Sequence, residues 1–190
     1  KEIKKNYQFL NIKEKKIIFI YGGSQGSEPL IKSILLLLEK ADNVYLKNTK
    51  IIIQCPNQLT SYLKKFLKKL NLEFQISDFY TDIDTILSNT TIAITRAGAG
   101  TINDLIRYKI PSIIIPLPHS IYNHQYYNAK YLTDINAAIL MDEKNFNIDI
   151  NTNILIKLLN SSNQQQEMKN ILKKIIIPEA NIKMLERILK

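Results

Sequence analysis

Apolar and polar positions alternate along this chain in two rhythms. Short β-branched runs of four to six residues are each followed by a longer stretch in which Leu and Ile recur at helical spacing among Lys and Asn. The short runs predict strands over 17–21, 51–54, 72–76, 91–95, 112–115 and 138–141. Several are apolar throughout, as expected of strands covered by helices on both faces. The longer stretches predict helices over 29–40, 58–70, 83–88, 100–108, 123–133 and 150–159, with two more between 164 and 190 separated by Pro178. Strand and helix in strict alternation imply an α/β fold, a doubly wound and mostly parallel sheet with right-handed crossovers. The ordered domain is expected over 17–190, with the polar, basic 1–16 as a lead-in or linker and the polar 160–166 (NSSNQQQ) as a loop.

Length changes little in this picture, since 190 residues suit one core. The longest apolar runs, 34–38 and 113–115, fall far short of the roughly 20 residues that span a bilayer. No export signal is visible after Lys1, and the chain is expected to be a piece of a longer protein. The single cysteine, Cys55, excludes an internal disulfide, has no Cys or His at metal-ligand spacing, and reads as a small core hydrophobe at a strand end. A net charge of +9 raises nucleic acid or an anionic membrane as partners. The lysines are spread through amphipathic segments without an Arg-rich, aromatic-interleaved patch, which argues against nucleic acid and for a weak membrane preference.

In a doubly wound sheet, ligands bind beyond the carboxyl ends of the strands, and the chemistry-bearing residues fall there. Gly22, Gly23, Ser24, Gln25 and Gly26 join the first strand to the first helix. Glycines permit close backbone approach and a helix start favours an anion, so a diphosphate is a reasonable guest; a tight turn without a ligand is the alternative. After the fourth strand comes Arg96, Ala97, Gly98, Ala99, Gly100 and Thr101, with Asp104 about one turn into the helix. Asp104 is suited to accept both hydroxyls of a ribose, although it could merely complement the helix dipole, and Arg96 could be an ordinary ion-pair partner. After the fifth strand, Pro116-Leu117-Pro118-His119 is followed by Asn123, His124, Gln125, Tyr126, Tyr127, Asn128 and Ala129. These amides and imidazoles suit sugar hydroxyls, with Asn123 alternatively a helix N-cap. Two histidines without a third ligand make no zinc site, and Asp82 and Asp84 of T-D-I-D read as early-turn helix acids, so no metal is expected.

Together, GGSQG, R-A-G-A-G-T-x-x-D, and P-x-P-H followed by N-H-Q-x-x-N-A resemble the C-terminal domain of the MurG family, glycosyltransferase family 28. The resemblance covers 15–190, including a closing P-E-A-N stretch. It implies half of a GT-B fold and binding of UDP-GlcNAc, for inverting transfer of GlcNAc to lipid I, undecaprenyl-pyrophosphoryl-MurNAc-pentapeptide, in peptidoglycan synthesis. The implied roles are the ribose at Asp104, the diphosphate along 97–101 and the Ser24 loop, uracil at the Tyr80 backbone following Phe79, and GlcNAc hydroxyls at His124 and Gln125. The family usually carries Glu where Asp104 stands, and often Gln where His124 stands. It further implies that the acceptor site and catalytic base belong to an N-terminal domain absent here, that UDP-GlcNAc is a substrate with no cofactor beside it, and that the protein works peripherally at the cytoplasmic face of the inner membrane. Alternatives are a stand-alone donor subunit of a lipid-linked GlcNAc transferase, a UDP-galactose enzyme, and a non-catalytic sugar-nucleotide-binding domain.

Overall fold

The computed structural model describes residues 15–22 and 28–176. Six strands form one sheet: β1 (Lys16–Tyr21), β2 (Thr49–Gln54), β3 (Glu73–Ser77), β4 (Ile92–Thr95), β5 (Ser112–Ile114) and β6 (Ile139–Leu140). Their order is β3-β2-β1-β4-β5-β6, and every pairing is parallel. All six expected strands are present, each within two residues of its predicted start. The lead-in at 1–16 lies outside the described residues except for its last two, of which Lys16 already opens β1.

Successive side chains of a strand point to opposite faces, and the apolar runs are sorted accordingly. Ile18, Ile20, Ile51, Ile53, Ile92 and Ile94 pack with the helices α1 (Glu28–Lys40), α2 (Asn57–Lys69) and α6 (Ile148–Asn160). Ile17, Phe19, Tyr21, Ile52, Ala93 and Ile114 pack with α3 (Ile83–Asn89), α4 (Ala99–Tyr108) and α5 (His124–Thr133). Both faces are covered, which is why β1 carries no polar alternation after Lys16. Cys55 follows β2, is buried, and donates its main-chain N–H to Ser77 O, a core position as expected.

The one element misread from sequence is the polar 160–166. It is no loop: α6 runs to Asn160, Ser161 breaks it, and α7 (Ser162–Leu172) begins at once. Two of the polar side chains there serve helix ends. Ser161 Oγ accepts the Gln164 N–H, and Gln165 Nε2 donates to the terminal α6 carbonyls of Leu158 and Leu159 at 2.8 and 3.1 Å. Met168 of α7 joins the first core and Leu172 the second, so this helix passes from one layer to the other. The second helix expected in this region lies outside the described residues.

The sheet order doubles back at β1. Chain progression moves outward from β1 to β3, then returns to β4 on the other side, so α1 and α4, the helices after β1 and β4, cover opposite faces of the sheet, and such a switch point is where ligands bind in sheets of this kind. For the α6–α7 junction, Ser161→Ala removes the cap and should cost about 1 kcal/mol, read as a lower urea midpoint with an unchanged slope.

Candidate functional site

The carboxyl edge is assembled from the segments following β4, β5 and β6, and one buried cation joins them. Arg96, the first residue after β4, is 3% exposed. Its guanidinium donates to the carbonyls of Ile115 and Pro116 at 3.1 Å each, and makes a two-pronged pair with Glu143, Nη1 to Oε2 at 2.8 Å and Nη2 to Oε1 at 3.1 Å. A planar fork matches a carboxylate in this way, and Nη1 also faces the two carbonyls. The side chain of Arg96, which the sequence places among the ligand-binding residues, is thus turned inward onto Glu143 and the loop carbonyls, where it braces the loops.

The next peptide is held on both sides. Gln125 Oε1 accepts the N–H of Ala97 at 3.2 Å and that of Leu117 at 3.0 Å, while Asn128 Nδ2 donates to Ala97 O at 3.0 Å. Gln125 and Asn128 are three apart on α5 and so share a face. Gln125 in turn donates its main-chain N–H to Ser120 Oγ at 3.2 Å. The N-H-Q-x-x-N spacing thus clamps the glycine-rich segment to the β5 loop. Because Oε1 is engaged, only the Gln125 amide NH2 remains for a sugar, a narrower role than the sequence reading gave it.

Beyond this clamp α4 starts with its donors open. Gly98 is the cap residue with ordinary extended dihedrals, φ −65° and ψ 149°. Among the described residues no acceptor takes up the N–H groups of Gly98, Ala99, Gly100 or Thr101. Among the described residues, a Cβ at Gly98 would meet Thr101 Oγ1 at 3.6 Å, an ordinary contact, and one at Gly100 would meet nothing within 4 Å. Packing against the described residues therefore does not require glycine at either position. The small residues leave the helix N-terminus clear of these neighbours, the arrangement that accommodates an anion.

Asp104, on the second turn of α4, is half-buried. Burial raises its carboxyl above the ordinary aspartate value, Arg107 pulls it back down, and Asp84 of α3 raises it further. Asp84 itself accepts a short hydrogen bond from the Tyr108 hydroxyl, and Asp82 accepts from Thr85 Oγ1 at 2.7 Å. Asp82 stands at the N-cap position of α3 without a side-chain bond to its N–H groups and Asp84 sits in the first turn, so the T-D-I-D acids lie at the helix start as expected. Among the described residues no three His, Cys, Asp or Glu side chains are gathered to hold a metal.

Tyr80 is anchored by its side chain: the ring meets Phe19 edge-on at 6.2 Å and the hydroxyl donates to Ile53 O at 3.2 Å. Its main-chain N–H and carbonyl are taken up by nothing among the described residues. Phe79 beside it is 68% exposed. At the other flank, Tyr122 and Asn123 form a turn with consecutive positive φ values of 50° and 56°, a costly conformation for non-glycine residues. Asn123 makes no capping hydrogen bond to α5, contrary to the N-cap alternative, and remains exposed. His124 Nδ1 lies 2.8 Å from Ile121 O, so the neutral ring donates there and leaves Nε2 as an acceptor. His119 is exposed at the tip of the β5 loop.

A cavity of about 380 Å³ opens between the β5 and β6 ends, lined by Pro116, Leu117, Asn123, Tyr126, Asp142 and Lys144 among others. Another hollow of about 320 Å³ lies at the opposite edge, around Asn48, Thr49 and Glu73, away from every motif. Gly23, Ser24, Gln25 and Gly26 lie outside the described residues. Sequence reading missed Glu143, which carries no motif, and undervalued Asn128, whose spacing from Gln125 was the available signal.

A parallel sheet that reverses at β1, with an open helix N-terminus and a half-buried acid at the reversal, defines a Rossmann-like half of a GT-B glycosyltransferase. The chain belongs to glycosyltransferase family 28: the profile of the glycosyltransferase family 28 C-terminal domain matches residues 17–180. It is 35% identical over 162 residues to a UDP-N-acetylglucosamine--N-acetylmuramyl-(pentapeptide) pyrophosphoryl-undecaprenol N-acetylglucosamine transferase of Campylobacter jejuni, covering 85% of this chain and 46% of that protein. The same-named enzyme of Rickettsia typhi is 36% identical over 152 residues, covering 78% of this chain and 38% of that protein. The chain thus spans less than half the length of these relatives. The crystal structure of Acinetobacter baumannii MurG superposes with a TM-score of 0.82 at 23% identity, covering 95% of this chain and 53% of that one, a likeness of fold.

Glu143→Ala leaves the Arg96 guanidinium buried without its counter-ion and should cost about 3 kcal/mol in urea unfolding; Arg96→Met with Glu143→Leu, which removes both charges, should recover most of it.

Proposed function

We propose that this chain is the donor-binding half of an inverting glycosyltransferase, taking UDP-GlcNAc and delivering GlcNAc to the lipid-linked MurNAc-pentapeptide named in its relatives. The observation that carries the reading is the open α4 N-terminus held in place beside Asp104. The N–H groups of 98–101 receive the diphosphate, Asp104 accepts from the ribose hydroxyls, and the free main chain of Tyr80 reads the uracil edge. His124 Nε2 and the Gln125 amide supply one acceptor and one donor to the sugar. Departure of UDP builds negative charge on the β-phosphate, and fixed N–H dipoles stabilise that charge without reorganising.

On this reading UDP-GlcNAc is the substrate and no cofactor is assigned. The acceptor and the base that deprotonates its hydroxyl belong to the half of the relatives that this chain does not span, and the isolated chain binds donor without transferring it. Peripheral contact with an anionic membrane at the cytoplasmic face is consistent with a net charge of +9, and peptidoglycan synthesis places the activity in cell-wall growth, cell shape and division.

Calorimetric titration is expected to show UDP-GlcNAc binding more tightly than UDP-galactose, with Asp104→Ala at least tenfold weaker; a folded wild-type chain indifferent to every uridine nucleotide would sink the proposal. The carboxyl of Asp104 is raised by burial, so its charged form is the one lost as pH falls. Binding through that form should be complete at neutral pH and decline on acidification at a higher pH than an ordinary aspartate would give, while Asp104→Asn stays weak throughout and folds at least as stably at pH 7. Gly100→Ala should leave thermal stability equal or higher by about 0.5–1 kcal/mol and weaken UDP, because the added methyl enters the phosphate space and not the core.

A further inference from the structure

Tyr21 closes β1 at the sheet reversal, opposite Thr95 of β4, and its side chain lies on the α4 face. The residue is 4% exposed, and its ring is stacked on Phe19 with centroids 4.4 Å apart and planes 8° apart, which fixes its direction. Its hydroxyl is buried and has no hydrogen-bond partner among the described residues. An orphaned buried donor carries the full desolvation cost of the group, and phenylalanine, which serves on the same face two residues earlier, would avoid it. The hydroxyl therefore calls for a partner that arrives later.

The surroundings narrow the choice. Two acids, Asp84 and Asp104, and two tyrosines, Tyr21 and Tyr108, are carried by α3, α4 and the end of β1, and α3 packs on both of the others. Tyr108 is already hydrogen-bonded to Asp84. Tyr21 shares its core cluster with Ile102 and Leu105, which flank Asp104 along α4, and no hydrogen bond joins its hydroxyl to that carboxylate. Burial, and after it the charge of Asp104, raise the Tyr21 phenol well above the ordinary tyrosine range. Tyr21 thus remains a neutral donor at any ordinary pH, and Asp104 is the acceptor without a hydroxyl of its own.

Resting on the donor-site reading above, we propose that Tyr21 is a positioning residue of the nucleotide site: when a nucleoside diphosphate binds, its hydroxyl donates to the Asp104 carboxylate and holds that group toward the ribose diol. A carboxylate has about four lone-pair sites, enough for the tyrosine and two ribose hydroxyls together. The device suits a short aspartate side chain, which reaches less far than glutamate and gains from being fixed. Tyr21 itself touches no reacting atom.

The test is Tyr21→Phe in the full 190-residue chain, titrated with UDP and with 2′,3′-dideoxy-UDP, and melted without ligand. The expected result is a five- to tenfold loss of UDP affinity, about the net worth of one hydrogen bond. Affinity for the dideoxy nucleotide should be unchanged, and the unliganded melting temperature unchanged or raised. In an Asp104→Asn background the same substitution should add no further loss, a non-additivity that mere packing would not produce. Equal UDP affinity in the variant, or equal losses for both nucleotides with a lowered melting temperature, would overturn the role of Tyr21 while leaving the donor site standing. Failure of the wild-type chain to bind UDP would overturn both.

Discussion

The carboxyl edge depends on neutralising one buried guanidinium. Arg96 carries five N–H donors into a place with 3% exposure, and such a group is tolerated only when opposite charge and carbonyls meet it. Glu143 and the carbonyls of Ile115 and Pro116 do so, and they come from the segments after β6 and β5. Three strand ends are therefore tied to a single point. The adjacent Ala97 peptide, pinned by Gln125 and Asn128, inherits that position, and α4 begins from it. Donors that are fixed in advance stabilise developing charge without moving, so this brace bears on the site through the position it gives the α4 N-terminus.

The same pairing decides how the site attracts an anion. With Arg96 turned inward onto Glu143, its charge is spent inside the protein, and Asp84 and Asp104 make the flank of α4 acidic. A free phosphate at the α4 N-terminus would meet, among the described residues, open N–H groups and the helix dipole, partly offset by those acids. On the proposed reading, a nucleotide sugar brings besides its diphosphate hydroxyls that donate to Asp104 and a base edge for the Tyr80 main chain. Discrimination would then come from requiring all of these at once, since a site built to accept hydroxyls penalises a ligand that leaves its carboxylate unpaired.

Most of this architecture was legible in the sequence because parallel strands buried on both faces read as unbroken Ile and Val-like runs, and the helices between them keep their period. The glycine-rich segment and Asp104 were legible for a related reason: small residues directly after a strand have few structural uses. What escaped were contacts between segments far apart in the chain. Glu143 lies 47 positions from Arg96, and nothing local marks an acid after a two-residue strand as its counter-ion. Asn160 to Gln166 misled for the converse reason, since Ser and Gln are common both in loops and in the caps that join two helices. Tyr21 was hidden inside an apolar run, where its hydroxyl looks like an accident of composition.

Local rules are broken in several parts of this fold, at the positive φ of Asn48, Asn71, Lys109 and Asn136 for example, and some of the breaks fall where the ligand is expected. Tyr122 and Asn123 hold positive φ, Asp104 keeps a carboxylate half out of water, and Tyr21 buries an idle hydroxyl. Each costs stability in the unliganded chain, and none is relieved by packing among the described residues. Stored cost of this kind persists only where the surrounding structure over-determines it, and here the Arg96 brace and the Gln125–Asn128 clamp supply that surplus. A ligand that satisfies the open N–H groups, the carboxylate and the hydroxyl together would recover that cost. The physical logic of this edge is thus a well-satisfied scaffold of buried polar contacts carrying an unsatisfied surface, and the two cannot be exchanged: loosening the brace would let the surface satisfy itself and, on the proposed reading, weaken its hold on the nucleotide.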